Sequence, residues 1–453
     1  MNAFTASYNI GSSKLYKSPT ALTNANVLKD GDSIFINGGT YSGNNALANW
    51  KQNNLYIAGK NSKAIMKADG KQILGKGIWV LSGNNIKVYN IEFTGAVVND
   101  HNGAGIRLDG NGMHVNNCSF HHNENGILIS NTNAGTVIVE NSELYENGYG
   151  DGLTHNIYCG YIDKLIFQGN YSHHAKIGHC LKSRAKENQV LYNRIRDEQT
   201  GTSSRLIDIP NGGKTLIKGN VLTQGPNAQN NNLIGYGLEN YKTGYDRDLY
   251  ITNNTMINYR KASCIFVYIK SGANTAQIIN NIMAGKGDSL LGTATLSTNN
   301  FITDSISKLQ FVDEFKYNYS LQKTSPAIDQ GMVLGSANGL NLSPMEQPTL
   351  TGTETRVIYN LIDIGAIEFE SVNSIEDLDL SVSIYPNPSN SFITIKSKNG
   401  DFQFAKLIDL TGRVVLQIDN PETIDITHIE KGIYTLILLR EQNDIYTKKI
   451  IKN

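Results

Sequence analysis

Asparagine recurs in one setting along residues 85–300, and this recurrence constrains the fold more than any other feature of the chain. It stands at Asn90, Asn117, Asn141, Asn170, Asn193, Asn220, Asn254 and Asn281. Each lies between a short strand-like segment and a second apolar run, as in Val88-Tyr-Asn-Ile-Glu-Phe93 and Ile279-Asn-Asn-Ile-Met-Ala284. The separations are 27, 24, 29, 23, 27, 34 and 27 residues. A drifting period in the twenties is the mark of a solenoid, in which each repeat buries its apolar face against its neighbours.

The segments between the asparagines alternate in polarity, as in Ile86-Lys-Val-Tyr89 and Thr136-Val-Ile-Val139, and are punctuated by Gly110-Asn-Gly112 and Asn123-Glu-Asn-Gly126. Period-two alternation with Gly and Asn breaks predicts short strands and tight turns. No segment carries a 3.6-residue apolar period over helical length, which excludes strands joined by helices. The expectation is an all-β protein: a right-handed parallel β-helix with a small β-sandwich after it. One asparagine per winding can stack as a ladder, each amide bonding the next at strand spacing and satisfying polar groups inside a bend.

Composition excludes several classes. Lys plus Arg equals Asp plus Glu at 40 each, so no global basic field exists for nucleic acid. No run of eighteen apolar residues exists, so no membrane span is expected. Cys118, Cys159, Cys180 and Cys264 lack C-x-x-C spacing and read as small buried residues. Spacing leaves a Cys159–Cys180 disulfide open. The opening Met-Asn-Ala-Phe-Thr lacks a charged-then-apolar signal, which implies either a cytoplasmic protein or a leader already removed.

Residues 1–80 are read as an N-terminal cap with the first coils, 81–300 as the repeat body and 301–370 as a closing segment. Residues 371–381 are a polar linker and 382–453 a separate β domain. Asp30-Gly-Asp-Ser-Ile-Phe-Ile-Asn-Gly-Gly-Thr-Tyr41 resembles the opening coil of secreted carbohydrate-active β-helices. Ser325-Pro-Ala-Ile-Asp-Gln-Gly331 and Ile362-Asp-Ile-Gly-Ala-Ile-Glu368 resemble their closing segments. Tyr385-Pro-Asn-Pro388, a hairpin over Leu407–Val415 turning at Thr411-Gly412, Gly432-Ile-Tyr434 and the basic strand Lys448–Lys452 resemble the type IX secretion sorting domain of Bacteroidetes. That resemblance implies recognition by the secretion machinery, a secreted or cell-surface protein, and a removed leader.

Reactive side chains concentrate between residues 150 and 213, and four of the nine histidines fall between 155 and 179. On consecutive windings, stacked at roughly 4.8 Å, these residues become neighbours. Asp151, His155, His179, Lys182, Arg205 and Asp208 are expected on one face. Asn156, Tyr158, His174, Lys176, Arg184, Asn211 and Tyr236 are the expected substrate-binding surround, and Tyr158, Tyr171, Tyr192 and Tyr236 offer rings for sugar stacking.

Lys182 in Leu-Lys-Ser-Arg, with Arg205 one winding on, resembles the Lys…Arg pair of polysaccharide lyase family 6, the alginate and chondroitin-B lyases. The resemblance implies an enzyme acting on an acidic polysaccharide by β-elimination, with Lys182 as base and Arg205 as its partner, and a monomer is expected. Crowding by Arg184 and Arg205 is expected to disfavour an ammonium at 182. The family's calcium ligands are glutamates just before the lysine, whereas Lys176, Ile177, Gly178 and His179 stand here. Calcium is thus implied by the resemblance and not by the residues, and carboxylate neutralisation falls to Lys176, His179 and Arg184. Two further readings stay open. One is a glycoside hydrolase using Asp151 and Asp208, since Ile177-Gly-His-Cys180 resembles part of the polygalacturonase motif. The other is a non-catalytic glycan-binding adhesin.

Overall fold

The computed structural model describes residues 5–130, 135–370, 382–397, 402–409, 413–439 and 445–453. It is all-β and divides into two compact units, Met1–Phe369 and Glu370–Asn453.

The first unit is a parallel β-helix with three walls per winding. Strands such as Lys164–Gln168 and Glu187–Leu191 build the first wall, and Tyr171–His173 and Arg194–Arg196 the second. The third is a separate ten-stranded parallel sheet that includes Ile157–Cys159, Leu181–Ser183, Ile207–Ile209 and Asn232–Tyr236. The first two walls form one 21-stranded sheet because Ser33–Ser42 and Tyr56–Lys67 run through the corner between them.

Alternation explains which side chains enter the core. Val137, Val139, Leu165 and Phe167 are fully buried on the first wall, while the residues between them face out. Inside, Trp79 meets Phe93 edge-on at 4.9 Å, and Phe93 stacks on Phe120 at 5.1 Å. Each such side chain contributes about 1.5–3 kcal/mol on burial, and the column continues from winding to winding.

The eight repeating asparagines divide into two structural kinds. Asn170, Asn193, Asn220, Asn254 and Asn281 form the expected ladder, extended by Asn300. In each rung one Oδ1 accepts both the backbone N–H and the side-chain amide of the asparagine below. For Asn193 on Asn220 the distances are 2.8 and 2.9 Å, and for Asn254 on Asn281 both are 2.9 Å. Asn90, Asn117 and Asn141 stand one position earlier, at left-handed φ of 57°, 52° and 51°. The ladder position beside Asn117 and Asn141 is taken by Cys118 and Ser142, and the Ser142 N–H donates to Asn170 Oδ1 at 3.0 Å. Asparagine tolerates the left-handed turn and also makes the ladder bond, so one residue type serves two adjacent positions.

A helix, Pro19–Asn24, packs Leu22 onto the first windings. Its N-cap Ser18 accepts the Ala21 N–H at 3.1 Å. Beyond residue 305 the chain leaves the stack and runs back along its outside. Leu309, Tyr319 and Ile364 pack with Val221, Ile257 and Ile282, while Leu340 and Leu342 pack with Leu191, Tyr192 and Tyr250. A buried Arg356–Glu368 pair at 2.6 Å secures this return segment.

All four cysteines are free and buried. Cys159 sits opposite Ser183, three residues past Cys180, so strand register keeps the two sulfurs apart. No helix among the described residues is long and apolar enough to cross a membrane. The second unit has a three-stranded and a four-stranded antiparallel sheet around Ile393, Leu407, Leu436 and Ile450. Phe404–Ile408 and Val414–Asp419 pair as the expected hairpin. Its turn at Thr411-Gly412 and the linker 371–381 lie outside the described residues.

The two kinds of asparagine respond differently to glycine. Asn220→Gly strands two donors of Asn193 and is expected to lower stability by about 1–3 kcal/mol. Asn117→Gly, at an exposed left-handed position, stays within about 0.5 kcal/mol of the parent. Thermal midpoints of the two variants check the contrast.

Candidate active site

The third wall carries the reactive residues on consecutive strands. Register pairs Tyr158 with Lys182, Lys182 with Asp208, and Asp208 with Gly235, so these form one outward row. The residues before them, Ile157, Leu181, Ile207 and Ile234, are fully buried in the core. Lys182 lies on this wall, and Arg205, two residues before strand Ile207–Ile209, reaches Asp208 of the same row at 3.3 Å.

Lys182 Nζ lies 2.7 Å from Glu239 Oε1 and 3.4 Å from Asp208 Oδ2. Arg184 donates to Glu239 Oε2 at 2.6 Å, and its Nε donates to the Tyr158 hydroxyl at 2.9 Å. Its Nη1 also bonds Asn211, whose amide in turn donates to the Asn240 carbonyl at 2.9 Å. Arg205 lies flat across the neighbouring strand, bonding Asn232 at 2.6 Å and Asp208 at 3.3 Å. Gly235 permits this, because a Cβ there would fall 3.0 Å from Arg205 Cδ. The expected environment of Lys182 is corrected: two carboxylates face its nitrogen, and Arg184 turns its own charge toward Glu239.

His155 and His179 stand in a polar column beside the row. The His155 N–H donates to Asn125 Oδ1, the His179 N–H to His155 Nδ1, and the Arg205 N–H to His179 Nδ1, each at 3.0 Å. With Nδ1 occupied as an acceptor, the neutral ring carries its proton on Nε2. Burial, reinforced by Lys182 and Arg205, holds His179 down to about 3, and burial and His179 hold His155 well below its ordinary value. Both rings are neutral donors at physiological pH. They position the strands and have no free nitrogen to accept a proton. The Nε2 of His179 faces Asp208 Oδ2 at 3.5 Å.

Asp208 is 1 % exposed, and burial raises its carboxyl against the pull of Lys182 and Arg205. Glu239 is 45 % exposed at its side chain. Its burial acts to raise the carboxyl, but the bonds from Lys182 and Arg184 prevail and hold it down to about 2.

Several expected members lie elsewhere. Tyr236 takes an inward position, fully buried, with its hydroxyl on the Gly213 carbonyl. Asn156 is interior, donating to Leu144, Ser172 and His173 while accepting from Asn147. His174 follows the second wall and contacts His173 and Thr200. Lys176 is an exposed corner residue beside Asn147 and Gly148, close enough to act on His122. Asp151 closes its own turn, accepting from Leu153 at 2.8 Å and Thr154 at 3.4 Å. Asp151 and Asp208 thus face different partners and do not form the facing pair a hydrolase needs. Tyr171 bonds Arg196 and Glu198 on the second wall, and Tyr192 is covered by the return segment.

The sequence reading missed Glu239, and with it Asn232, Tyr161 and Lys242. The Lys242 ammonium sits 4.2 Å above the Tyr161 ring, and Arg184 is 5.8 Å from both Tyr158 and Tyr161. One signal was present. The 34-residue step from Asn220 to Asn254 is the longest, and its extra residues form the loop that carries Glu239.

Among the described residues no group of three or more His, Cys, Asp or Glu side chains is arranged to hold a metal. Asp208 and Glu239 are both engaged by cations, and three basic side chains share the cluster. These residues do not fit the calcium ion that the lyase resemblance implies.

The acid side of the stability profile follows from these groups. Glu239 contributes stability that is present above its unfolded value of about 4.5 and lost as pH falls toward about 2. His179, lowered to about 3, likewise contributes stability that is lost as pH falls from about 6.5. Glu239→Gln is expected to flatten the decline of the thermal midpoint below pH 4.5 while leaving the part above it, which pH-scanned melting checks.

Residues 383–453 match the family described as Secretion system C-terminal sorting domain, and the protein is secreted or displayed at the cell surface by the type IX route. A search of curated proteins finds no match to the chain. Among solved structures, the crystal structure of pectate lyase Pel9A is similar at 16% identity and a TM-score of 0.53. The match covers 81% of this chain and 97% of that one, a likeness in the β-helical fold.

Proposed function

We propose that the β-helical unit is an extracellular lyase that cleaves a uronic-acid-containing polysaccharide by β-elimination on its third wall. The observation that carries this reading is the outward row Tyr158–Lys182–Asp208 with Arg184 and Arg205 beside it, a lysine and two guanidinium groups gathered around Asp208 and Glu239 on one face of a rigid sheet. The likeness of the fold to a pectate lyase supports it.

In this reading Arg184 takes the uronate carboxylate, which makes the neighbouring C5 proton removable. Lys182, in its amine form, accepts that proton. The electron pair becomes the C4–C5 double bond and the C4–oxygen bond breaks. Arg205 stabilises charge on the departing oxygen, which takes its proton from solvent. Tyr158 and Asn211 hold the plane of Arg184, and Asp208 holds Arg205 and Lys182 in place. His155 and His179 fix the strands under these side chains. Tyr158 and Tyr161 offer ring faces to the sugars.

The test is incubation with alginate, hyaluronan, chondroitin, pectin and sulfated algal glycans. Absorbance in the unsaturated-uronate band is expected from at least one. New reducing ends without that band overturn the reading in favour of hydrolysis, and binding without cleavage overturns it in favour of an adhesin. Lys182→Ala is expected to cost about 10²–10⁴-fold in turnover with unchanged circular dichroism. Full activity in that variant rejects Lys182 as the base.

A further inference from the structure

Glu239 is the one carboxylate of the cluster that does not belong to the wall. It sits on the loop after strand Asn232–Tyr236 and reaches back across two windings to the level of Lys182 and Arg184. Its two oxygens divide between two cations, one to Lys182 Nζ at 2.7 Å and one to Arg184 Nη2 at 2.6 Å. A free carboxylate takes the same geometry between two basic groups.

The cations are built in, whereas their partner is not. The Lys182 and Arg184 side chains are 11 % and 14 % exposed, against 45 % for Glu239. Arg184 is also held by Tyr158 and Asn211, and Lys182 by Asp208. The loop of Glu239 is tied down through its backbone, from the Glu239 N–H to the Pro210 carbonyl and from the Lys242 N–H to the Asn211 carbonyl. The hydrogen bonds of its carboxylate go to those two cations. Without Glu239, Lys182, Arg184 and Arg205 would face Asp208 alone, and two partly buried positive charges would lack compensation.

We propose that Arg184, held by Tyr158 and Asn211, anchors a carboxylate-binding subsite, and that Glu239 is its internal occupant, displaced when the carboxylate of an acidic sugar enters. The identity of that sugar rests on the lyase reading above, while the subsite rests on the geometry. The exchange replaces one carboxylate by another on Arg184, so that partly buried guanidinium stays paired throughout. It also frees Lys182 from one of its two partners as substrate arrives.

The device selects for polymers. A tethered carboxylate competes at an effective concentration in the millimolar range or above. A single uronate has only its own carboxylate with which to displace it. A chain lying along the wall adds contacts on neighbouring windings, among them the Tyr158 and Tyr161 rings.

The experiment uses the full chain and its Glu239→Ala and Glu239→Gln variants, titrated calorimetrically with sodium glucuronate and sodium galacturonate, with glucose as the uncharged control. At least one uronate is expected to bind Glu239→Ala about tenfold or more tighter than the parent, with no response to glucose. Adding Arg184→Ala is expected to abolish that gain. Equal or weaker uronate binding in Glu239→Ala, or binding to neither protein, overturns the proposal and makes Glu239 a fixed strut for Lys182. Should Glu239→Ala fail to fold, Glu239→Gln keeps the shape, drops the charge and is judged by the same criterion. Tighter uronate binding without unsaturated product from any glycan upholds the subsite and rejects the lyase reading, so the two can fail separately.

Discussion

Register between windings is the constraint on which the rest of the molecule depends. Along one corner each asparagine Oδ1 accepts two bonds from the winding below, so every rung fixes the height and phase of its neighbour. A slip of one residue would exchange the faces of a strand. On the third wall it would bury Lys182 and expose Leu181. The corner ladder and the continuous apolar column oppose such a slip together, one by directional bonds and the other by burial.

The same device appears on the third wall in another chemical form. There Asn125, His155 and His179 supply the side-chain acceptors, each taking a backbone N–H from the following winding. This column supports the reactive row and explains the neutral histidines. A ring whose Nδ1 is committed to the backbone and whose surroundings are dry and cationic does not accept a further proton. Histidines that stand out by their clustering in sequence therefore serve as scaffold. The charged work falls to Lys182 and Asp208 on strands, to Arg184 and Arg205 within two residues of strand ends, and to Glu239 on a loop.

Much of the site was legible because a period near 25 residues converts sequence distance into vertical neighbours. Lys182, Arg205 and Asp208 were placed together on that ground, and Tyr158, Arg184 and Asn211 gather with them. The misplacements share one cause. A repeat period tells which winding a residue occupies, but not which wall, nor whether it points in or out. Tyr236 and Asn156 are on the right windings and face inward. His174 and Lys176 are on the right winding at another corner, and Asp151 spends its carboxylate on its own turn. Glu239 was missed because it lies in the extra length of one winding, where the repeat no longer predicts position.

The sequence by itself determined the architecture and the export route. Periodic asparagines with alternating strands admit a parallel solenoid and little else, and the final seventy residues carry their own sorting motif. Only the tertiary structure decided which charges meet. The sign of the surroundings of Lys182 depends on a glutamate 57 residues away, brought in by a loop. That reversal is invisible in the chain because electrostatics acts through space, over a few ångströms, between residues whose separation in sequence follows no period.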